Sequence, residues 1–206
     1  MLKALLFDFG GVLAEEGFRE GLKAIARKNR LDPNRFFPLA DTLIFDTRYL
    51  TGGADEAVYW NELRKKTGIA GSDRELRQEV LKRFILRPGM IAVVDRLKAQ
   101  GFLVAMLSDQ TNWLDELDRE TSLSGHFDRV FNSFTLHKSK RDASVFRDVC
   151  DALGVEPGEA LFVDDNMNHI QRAAGAGLHT IRFTTFGDFE KKLCGFLEPA
   201  RAQSRR

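Results

Sequence analysis

Apolar and polar positions follow two different patterns along the chain. Five short, mainly apolar runs are typical of buried strands: 4–9, 102–109, 129–133, 159–165 and 179–183. Segments between the later runs carry apolar residues at helical spacing, and the segment 88–101 also has a proline near its start and a glycine at its end. Strand followed by helix, repeated, predicts an α/β fold: a doubly wound, Rossmann-like parallel sheet with helices on both faces.

The stretch between the first two apolar runs has only the helical pattern. Four segments there have helical periodicity, with no convincing strand between them: 17–29, 34–50, 52–68 and 73–86. We therefore predict an α/β core of residues 1–14 and 88–206, interrupted by a helical bundle at 15–87. Most aromatic residues of this insertion are expected to form its own core: Phe18, Phe36, Phe37, Phe45, Tyr49, Tyr59 and Trp60.

Composition excludes some classes of protein. The 206 residues carry a formal net charge of +1, which gives no general attraction to nucleic acid or to an anionic membrane. We find no apolar run of membrane-spanning length and no signal peptide. Cys150 and Cys194 lie in helical segments without metal-ligand spacing, so we expect buried free thiols in a cytoplasmic protein. The sequence leaves open whether the protein is a monomer or a homodimer.

Polar residues of the types that act in catalysis and metal binding follow several of the predicted strands. Asp8 ends the first, Ser108 ends the second, and Asp164 and Asp165 end a later one. Because the carboxyl ends of parallel strands share one edge of the sheet, these side chains are expected to converge there. Three converging carboxylates suit Mg²⁺, a cation that prefers oxygen ligands. Lys140, just before a predicted helix, can supply a permanent positive charge at the same edge.

Each of these residues also has an ordinary structural explanation when it is taken alone. An Asp at a strand end often caps a helix, and the pair Asp164–Asp165 can cap the helix that begins near Asn168. Ser108 and Lys140 are unremarkable by themselves, since serines end many strands and most lysines are solvated. The order in which the chain presents the whole set favours a common site over these separate explanations.

Four motifs, in this order, resemble those of the haloacid dehalogenase-like (HAD) hydrolase superfamily: FDFGGVL, MLSDQ, KSKRDASVF and ALFVDDNMNHIQRAAGAGLHTI. The resemblance covers residues 1–14 and 88–183, and the fourth motif is the most specific because its whole frame matches. The inserted helices resemble the small α-helical cap of the branch that contains haloacid dehalogenases, phosphoglycolate phosphatases and β-phosphoglucomutase. FDFGGVL and FVDDN are most similar to the sugar-phosphate phosphatases of that branch.

The resemblance implies a Mg²⁺-dependent hydrolase of small phosphomonoesters, with a sugar phosphate as one possible substrate. Asp8 would attack phosphorus and form an aspartyl-phosphate, assisted by Ser108 and Lys140 as the other catalytic residues. The metal ligands would be Asp8, the carbonyl of Gly10, Asp165 and Asp164, the last either directly or through water. The implied substrate-binding residues are Phe9, Gly10, Ser108, Asp109 and Lys140, with the N–H groups of Phe9 and Gly10 forming an anion nest.

Three positions depart from the pattern of these phosphatases. Gly10 stands where a second Asp usually protonates the leaving group, and Glu15 or Glu16 is a candidate replacement, although a solvated helix start explains both. This departure also argues against a dehalogenase, because dehalogenases resemble Asp-X-Tyr here and use no metal. Arg141 replaces the usual Pro, so Lys138 competes with Lys140 for the lysine role. Asp109 replaces a commoner Asn and adds negative charge near the site.

Two other classes of function compete with this hypothesis. A phospho-acceptor signalling domain of receiver type uses similar residues, but it has its acidic pair on the first strand and no insertion of this size. A catalytically weak binding protein that keeps the fold would explain Gly10 and Arg141. Under the phosphatase hypothesis the insertion would close over the site, with Arg19 and Arg48 as its candidates for substrate contact.

Overall fold

A computed structural model describes the backbone of residues 1–203 and the side chains of residues 1–197. Five parallel strands form one sheet in the order β3-β2-β1-β4-β5. Their bounds are β1 Ala4–Phe7, β2 Leu103–Ser108, β3 Arg129–Asn132, β4 Ala160–Asp164 and β5 His179–Arg182. Each strand falls within one of the five predicted runs, and the α/β prediction is confirmed.

Helices cover both faces of the sheet because side chains alternate between the two faces along each strand. On one face, Leu5 and Phe7 join the core that includes α5 (Pro88–Ala99), α6 (Trp113–Thr121) and α10 (Phe186–Gln203). On the other face, Ala4 and Leu6 pack with α8 (Ser144–Leu153) and α9 (Met167–Gly175). A short helix, α7 (Ser133–Leu136), follows β3.

Four helices fill the stretch between β1 and α5: α1 Gly17–Lys28, α2 Pro33–Asp46, α3 Glu56–Thr67 and α4 Asp73–Leu81. Local signals in the sequence fix their starts. Asp32 caps α2 ahead of Pro33, and Ser72 and Glu75 form a capping box at α4. The second and fourth helices end several residues earlier than their periodicity predicts, at Asp46 and Leu81.

The chain enters and leaves this helical segment through two connecting segments that pair with each other. Ala14 pairs with Leu86 in an antiparallel bridge, and the N–H of Arg87 donates to the carbonyl of Leu13 at 2.8 Å. A second attachment lies farther away, where the Tyr49 hydroxyl donates to Asn112 Oδ1 at 2.6 Å. The helices are therefore held over the carboxyl edge of the sheet by contacts beyond the chain connections themselves.

Two expectations from the sequence, on membrane spans and on the cysteines, can be compared with the structure. None of the helices in the part of the chain that the structure describes is both long and apolar enough to cross a bilayer. Cys150 is buried as predicted, but Cys194 is exposed, so the prediction was wrong for the second thiol. Cys194 lies on the solvent side of α10, and the helical pattern of that segment is carried by Phe189 and Leu193 instead.

Candidate active site

The site lies where the order of the strands reverses. Strands β2 and β3 follow on one side of β1, and β4 and β5 lie on the other, so the ends of β1 and β4 open a crevice between them. Asp8 is the first residue after β1, and its N–H donates to the carbonyl of Val163 in β4 at 2.9 Å. The same register brings Asp8 beside Asp164.

A buried lysine joins these two carboxylates. Lys140 Nζ lies 2.8 Å from Asp8 Oδ1 and 2.7 Å from Asp164 Oδ2, and its side chain is only 1% exposed. Burial by itself lowers the pKa of Lys140, but Asp164 and Asp8 raise it, and the net shift is upward. Lys138, the alternative, is instead paired with Asp148 at the surface. The structure therefore brings Lys140, and not Lys138, to the predicted carboxylates.

The two acidic residues of the last motif have different surroundings. Asp164 is fully buried and accepts hydrogen bonds from Lys140, from His169 at 3.1 Å and from the N–H of Asn166 at 2.7 Å. Burial favours its neutral form, but Lys140 and His169 outweigh burial and hold its pKa well below the usual range. Asp165 lines the open cavity, and burial raises its pKa, as does the charge of Asp164.

Gly11 allows Asp165 to approach the loop after β1. Its φ of +84° lies in the region that favours glycine, and a Cβ added there would lie 2.6 Å from the carboxyl carbon of Asp165. This close approach brings Asp165 to the same loop that carries Asp8 and the carbonyl of Gly10. Arg87 holds the loop from outside, since its guanidinium donates to the carbonyls of Gly11 and Val12.

The donor set fits a hard divalent cation. The carboxylates of Asp8 and Asp165 and the carbonyl of Gly10 are all oxygen donors, which is the chemistry that Mg²⁺ selects. A different trio, Asp8, Asp164 and His169, has ligand atoms within 4.8 Å of one another. The ammonium of Lys140 already bonds two members of that trio and would repel a second cation there. The arrangement therefore favours Asp165, rather than Asp164, as a direct ligand.

The remaining predicted residues surround Asp8. Ser108 is buried at the end of β2 and lines the cavity. Asp109 accepts a hydrogen bond from the Lys140 N–H at 2.9 Å, so this extra carboxylate helps to place the lysine. The N–H of Phe9 donates to Asp8 Oδ1 at 2.7 Å, so in this structure it binds the carboxylate and is not an open anion-binding group. Burial raises the pKa of Asp8, and Lys140 opposes that shift.

A cavity of about 350 Å³ opens above these residues. Its roof comes from α1 and α2 and includes Phe18, Arg19, Phe37, Asp41, Ile44 and Phe45. Three of the aromatic residues expected in the core of the insertion, Phe18, Phe37 and Phe45, therefore line the cavity, whereas the other four are buried. Of the two arginines expected to contact substrate, Arg19 lines the cavity, whereas Arg48 lies against Gly53 and is not among the lining residues that the structure describes.

The contacts of two further site residues, Arg141 and His169, carry no recognisable signal in the sequence. Arg141 crosses to α2, where its guanidinium carbon lies 3.2 Å from the centre of the Phe45 ring and its Nη2 lies 3.4 Å from Asp41. His169 pairs with Asp164 from the first turn of α9. These contacts depend on how distant segments pack, and spacing along the chain does not reveal them.

The adjacent residues Glu15 and Glu16 diverge in the structure. Glu15 is exposed and pairs with Arg87 at 2.9 Å, which lowers its pKa. Glu16 is half-buried and lines the cavity. Glu15 is therefore solvated as expected, whereas Glu16 does cap the start of α1 but is not fully solvated.

Several curated proteins are similar to this chain in sequence. The chain is 27% identical to the phosphoglycolate phosphatase of Aquifex aeolicus (strain VF5), over 87% of this chain and 83% of that enzyme. It is 31% identical to (S)-2-haloacid dehalogenase 4A of Burkholderia cepacia, over 49% of this chain. The chain spans 44% of the length of that dehalogenase, and it spans less than half of several other curated relatives.

Solved structures share the fold. A HAD family enzyme from Bacteroides thetaiotaomicron, in complex with magnesium and inorganic phosphate, matches with a TM-score of 0.72 at 20% identity, over 90% of this chain and 96% of that chain. The family model for haloacid dehalogenase-like hydrolases matches residues 2–177, which include every predicted site residue. The chain therefore belongs to the haloacid dehalogenase-like hydrolase family.

Proposed function

We propose that this hydrolase cleaves small phosphomonoesters in a Mg²⁺-dependent reaction through an aspartyl-phosphate on Asp8. One observation carries the proposal. A buried lysine holds the Asp8 carboxylate at the floor of a cavity that also contains Ser108 and Asp165. A nucleophilic carboxylate, a fixed cation, a hydroxyl donor and a further carboxylate for a metal are the groups that phosphoryl transfer needs.

The chain's own residues supply most of the first step. Asp8 attacks phosphorus with a carboxylate oxygen, and the bond between phosphorus and the ester oxygen breaks. Both hydrogen bonds to Asp8, from Lys140 and from Phe9, end on Oδ1, so Oδ2 carries neither of them. Lys140 offsets the charge that accumulates between carboxylate and phosphoryl group, and Ser108 donates to a phosphoryl oxygen.

The metal would be held by Asp8, Asp165 and the carbonyl of Gly10. When bound, Mg²⁺ neutralises charge on the phosphoryl oxygens and reduces their repulsion from Asp8. Asp164 contributes to the site indirectly, because its carboxylate orients Lys140 and His169 by hydrogen bonds. This division of roles between the two acidic residues extends the sequence prediction, which left the contact between Asp164 and the metal open.

Residues 15–87 act as a cap in this proposal. The helices α1 and α2 roof the cavity, so they exclude water and restrict what can enter. A volume of about 350 Å³ accommodates a small metabolite such as a sugar phosphate, and not a polymer. A cytoplasmic location stays a prediction, and the sequence-based alternatives of monomer and homodimer both stay open.

Dehalogenation is a second candidate, because two of the curated relatives are named haloacid dehalogenases. A free haloacid substrate would not need the second open carboxylate, Asp165, beside Asp8. The phosphatase relative also covers much more of this chain than the dehalogenase does, 87% against 49%. Phosphate-ester hydrolysis therefore explains more of the site.

Phosphate release from para-nitrophenyl phosphate and from a panel of sugar phosphates tests the proposal. We expect turnover with Mg²⁺, loss of turnover with EDTA, and a decrease of at least about a thousandfold in Asp8→Asn. Asp148→Asn removes an exposed, ion-paired carboxylate and serves as the matched control. Activity that survives Asp8→Asn, or that needs no metal, contradicts the mechanism, and turnover of 2-haloacids in place of the phosphate esters supports the second candidate.

A further inference from the structure

The proposed reaction needs a proton donor that Asp8, Ser108 and Lys140 do not provide. An alkoxide leaving group is expelled slowly unless it is protonated as its bond to phosphorus breaks. Gly10, two residues after the nucleophile, has no side chain to do this. The donor must therefore come from elsewhere on the wall of the cavity.

Most titratable groups around the cavity are already engaged. Asp8 is the nucleophile, and Asp165 is the proposed metal ligand. Asp109 accepts from the N–H of Lys140, and Asp41 lies 3.4 Å from Arg141. His169 is paired with the buried carboxylate of Asp164. Among the acidic side chains that line the cavity, these assignments leave Glu16.

Glu16 lies beside the loop that carries the nucleophile. A Cβ added to Gly10 would lie 3.3 Å from the Phe84 ring and 4.0 Å from Glu16 Oε1, so this carboxylate borders the position of the missing side chain. Among the residues that the structure describes, Glu16 accepts one hydrogen bond, a long one of 3.4 Å from the N–H of Arg19, which makes it the N-cap of α1. Glu16 thus has an oxygen close to the loop that follows the nucleophile, and only this long hydrogen bond fixes its position.

The surroundings of Glu16 also favour its protonated form. Burial raises the pKa of Glu16, and the charge of Asp165 adds to this, while Arg19 and Lys140 oppose it, with a net upward shift. Its neighbour Glu15 shows the contrast, since hydrogen bonding to Arg87 lowers the pKa of that side chain. The two residues differ in placement although they are adjacent in the sequence.

We propose that Glu16 is the general acid and base of this site, an inference that rests on the proposed phosphatase function. In the first half-reaction Asp8 bonds to phosphorus, the bond from phosphorus to the leaving oxygen breaks, and the proton of Glu16 moves to that oxygen. In the second half-reaction a water oxygen bonds to phosphorus and the Asp8–phosphorus bond breaks. The Glu16 carboxylate takes the proton of that water and so returns to its starting state.

The test compares two esters that differ in their need for a proton. Para-nitrophenolate departs without one, whereas the alkoxide of glycerol 3-phosphate does not. Under the proposal, Glu16→Gln lowers kcat/KM for formation of the enzyme intermediate from the alkyl ester by about a hundredfold to ten-thousandfold and affects the aryl ester far less. Gln keeps the size of the side chain and the bond to Arg19, and a retained kcat/KM for formation of the intermediate from the aryl ester shows that the variant folds.

Glu15→Gln is the matched control and should leave both esters close to wild type, because Glu15 faces solvent. Three results would overturn the assignment of Glu16. In Glu16→Gln, kcat/KM falls equally for both esters, or it does not fall for the alkyl ester. Alternatively, the fall that is selective for the alkyl ester occurs in His169→Gln instead of Glu16→Gln. Wild-type protein that turns over neither ester removes the proposed function and this inference together, so the two failures are distinguishable.

Discussion

Lys140→Met isolates the buried charge at the centre of the site. The substitution keeps an unbranched side chain of similar length in a position that is 1% exposed, and it removes the cation that bonds Asp8 and Asp164. Asp164 itself is fully buried. The variant therefore leaves two carboxylates in the interior with their principal positive partner removed.

The expected loss of stability can be worked out from the usual effect of breaking a buried ion pair. Removing one partner of a buried ion pair destabilises a protein by about 3–5 kcal/mol. For a chain of this length that corresponds to a fall of roughly 6–20 °C in Tm. Activity is lost as well, since nothing then offsets the charge between Asp8 and the phosphoryl group.

The pH dependence has a definite sign. The folded-state pKa of Asp164 is lowered, so its contribution to stability is present above the ordinary pKa of about 3.9 and is lost as pH falls through the folded value. In Lys140→Met burial dominates, and Asp164 can escape the penalty by taking up a proton. The stability difference between wild type and variant should therefore be largest near neutral pH and should shrink as pH approaches about 4.

Urea unfolding at several pH values in EDTA measures this difference without a contribution from metal. Lys138→Met is the matched control, because Lys138 lies at the surface two residues away and pairs with Asp148. Its unfolding midpoint should equal that of wild type. A Lys140→Met variant as stable as wild type at neutral pH, or a difference that grows towards acid pH, refutes the ion-pair account.

Three further predictions concern the metal, the loop and the roof of the cavity. Mg²⁺ should raise the Tm of wild type through preferential binding to the folded state, and Asp165→Asn should remove most of that increase in a thermal-shift titration. Gly11→Ala should lower stability by about 1–3 kcal/mol in urea unfolding, because φ is +84° and the new Cβ would meet Asp165 at 2.6 Å; unchanged stability contradicts this close approach. Arg141→Ala loses its contact with Phe45 and should raise KM roughly two- to tenfold with little change in kcat, whereas a selective fall in kcat would place Arg141 in the chemical step.

The centre of the sheet could be predicted from the sequence because the strands β1, β2 and β4 are buried on both faces. Runs such as 160–164 are continuously apolar and end at a carboxylate, so both the strand and its functional end can be recognised. The convergence of Asp8, Ser108, Lys140 and the acidic pair then follows from parallel topology alone. Those residues do meet at one edge of the sheet.

The different surroundings of neighbouring site residues could not be predicted from the sequence in the same way. Asp164 and Asp165 are identical in the sequence, and only packing shows that one is buried against Lys140 while the other lines the cavity. Glu15 and Glu16 are equally indistinguishable until α1 is placed over the loop. The orientation of a side chain at a helix start depends on one backbone turn, which helical periodicity does not specify.

Trapping the covalent intermediate tests the central claim most directly. The full chain is mixed with Mg²⁺ and para-nitrophenyl phosphate, quenched in acid at a series of times and digested for mass spectrometry. The account predicts one phosphoryl group on the peptide that contains Asp8, appearing before steady-state phosphate release and absent from Asp8→Asn. Steady phosphate release with no phosphoryl group on that peptide at any quench time would contradict it.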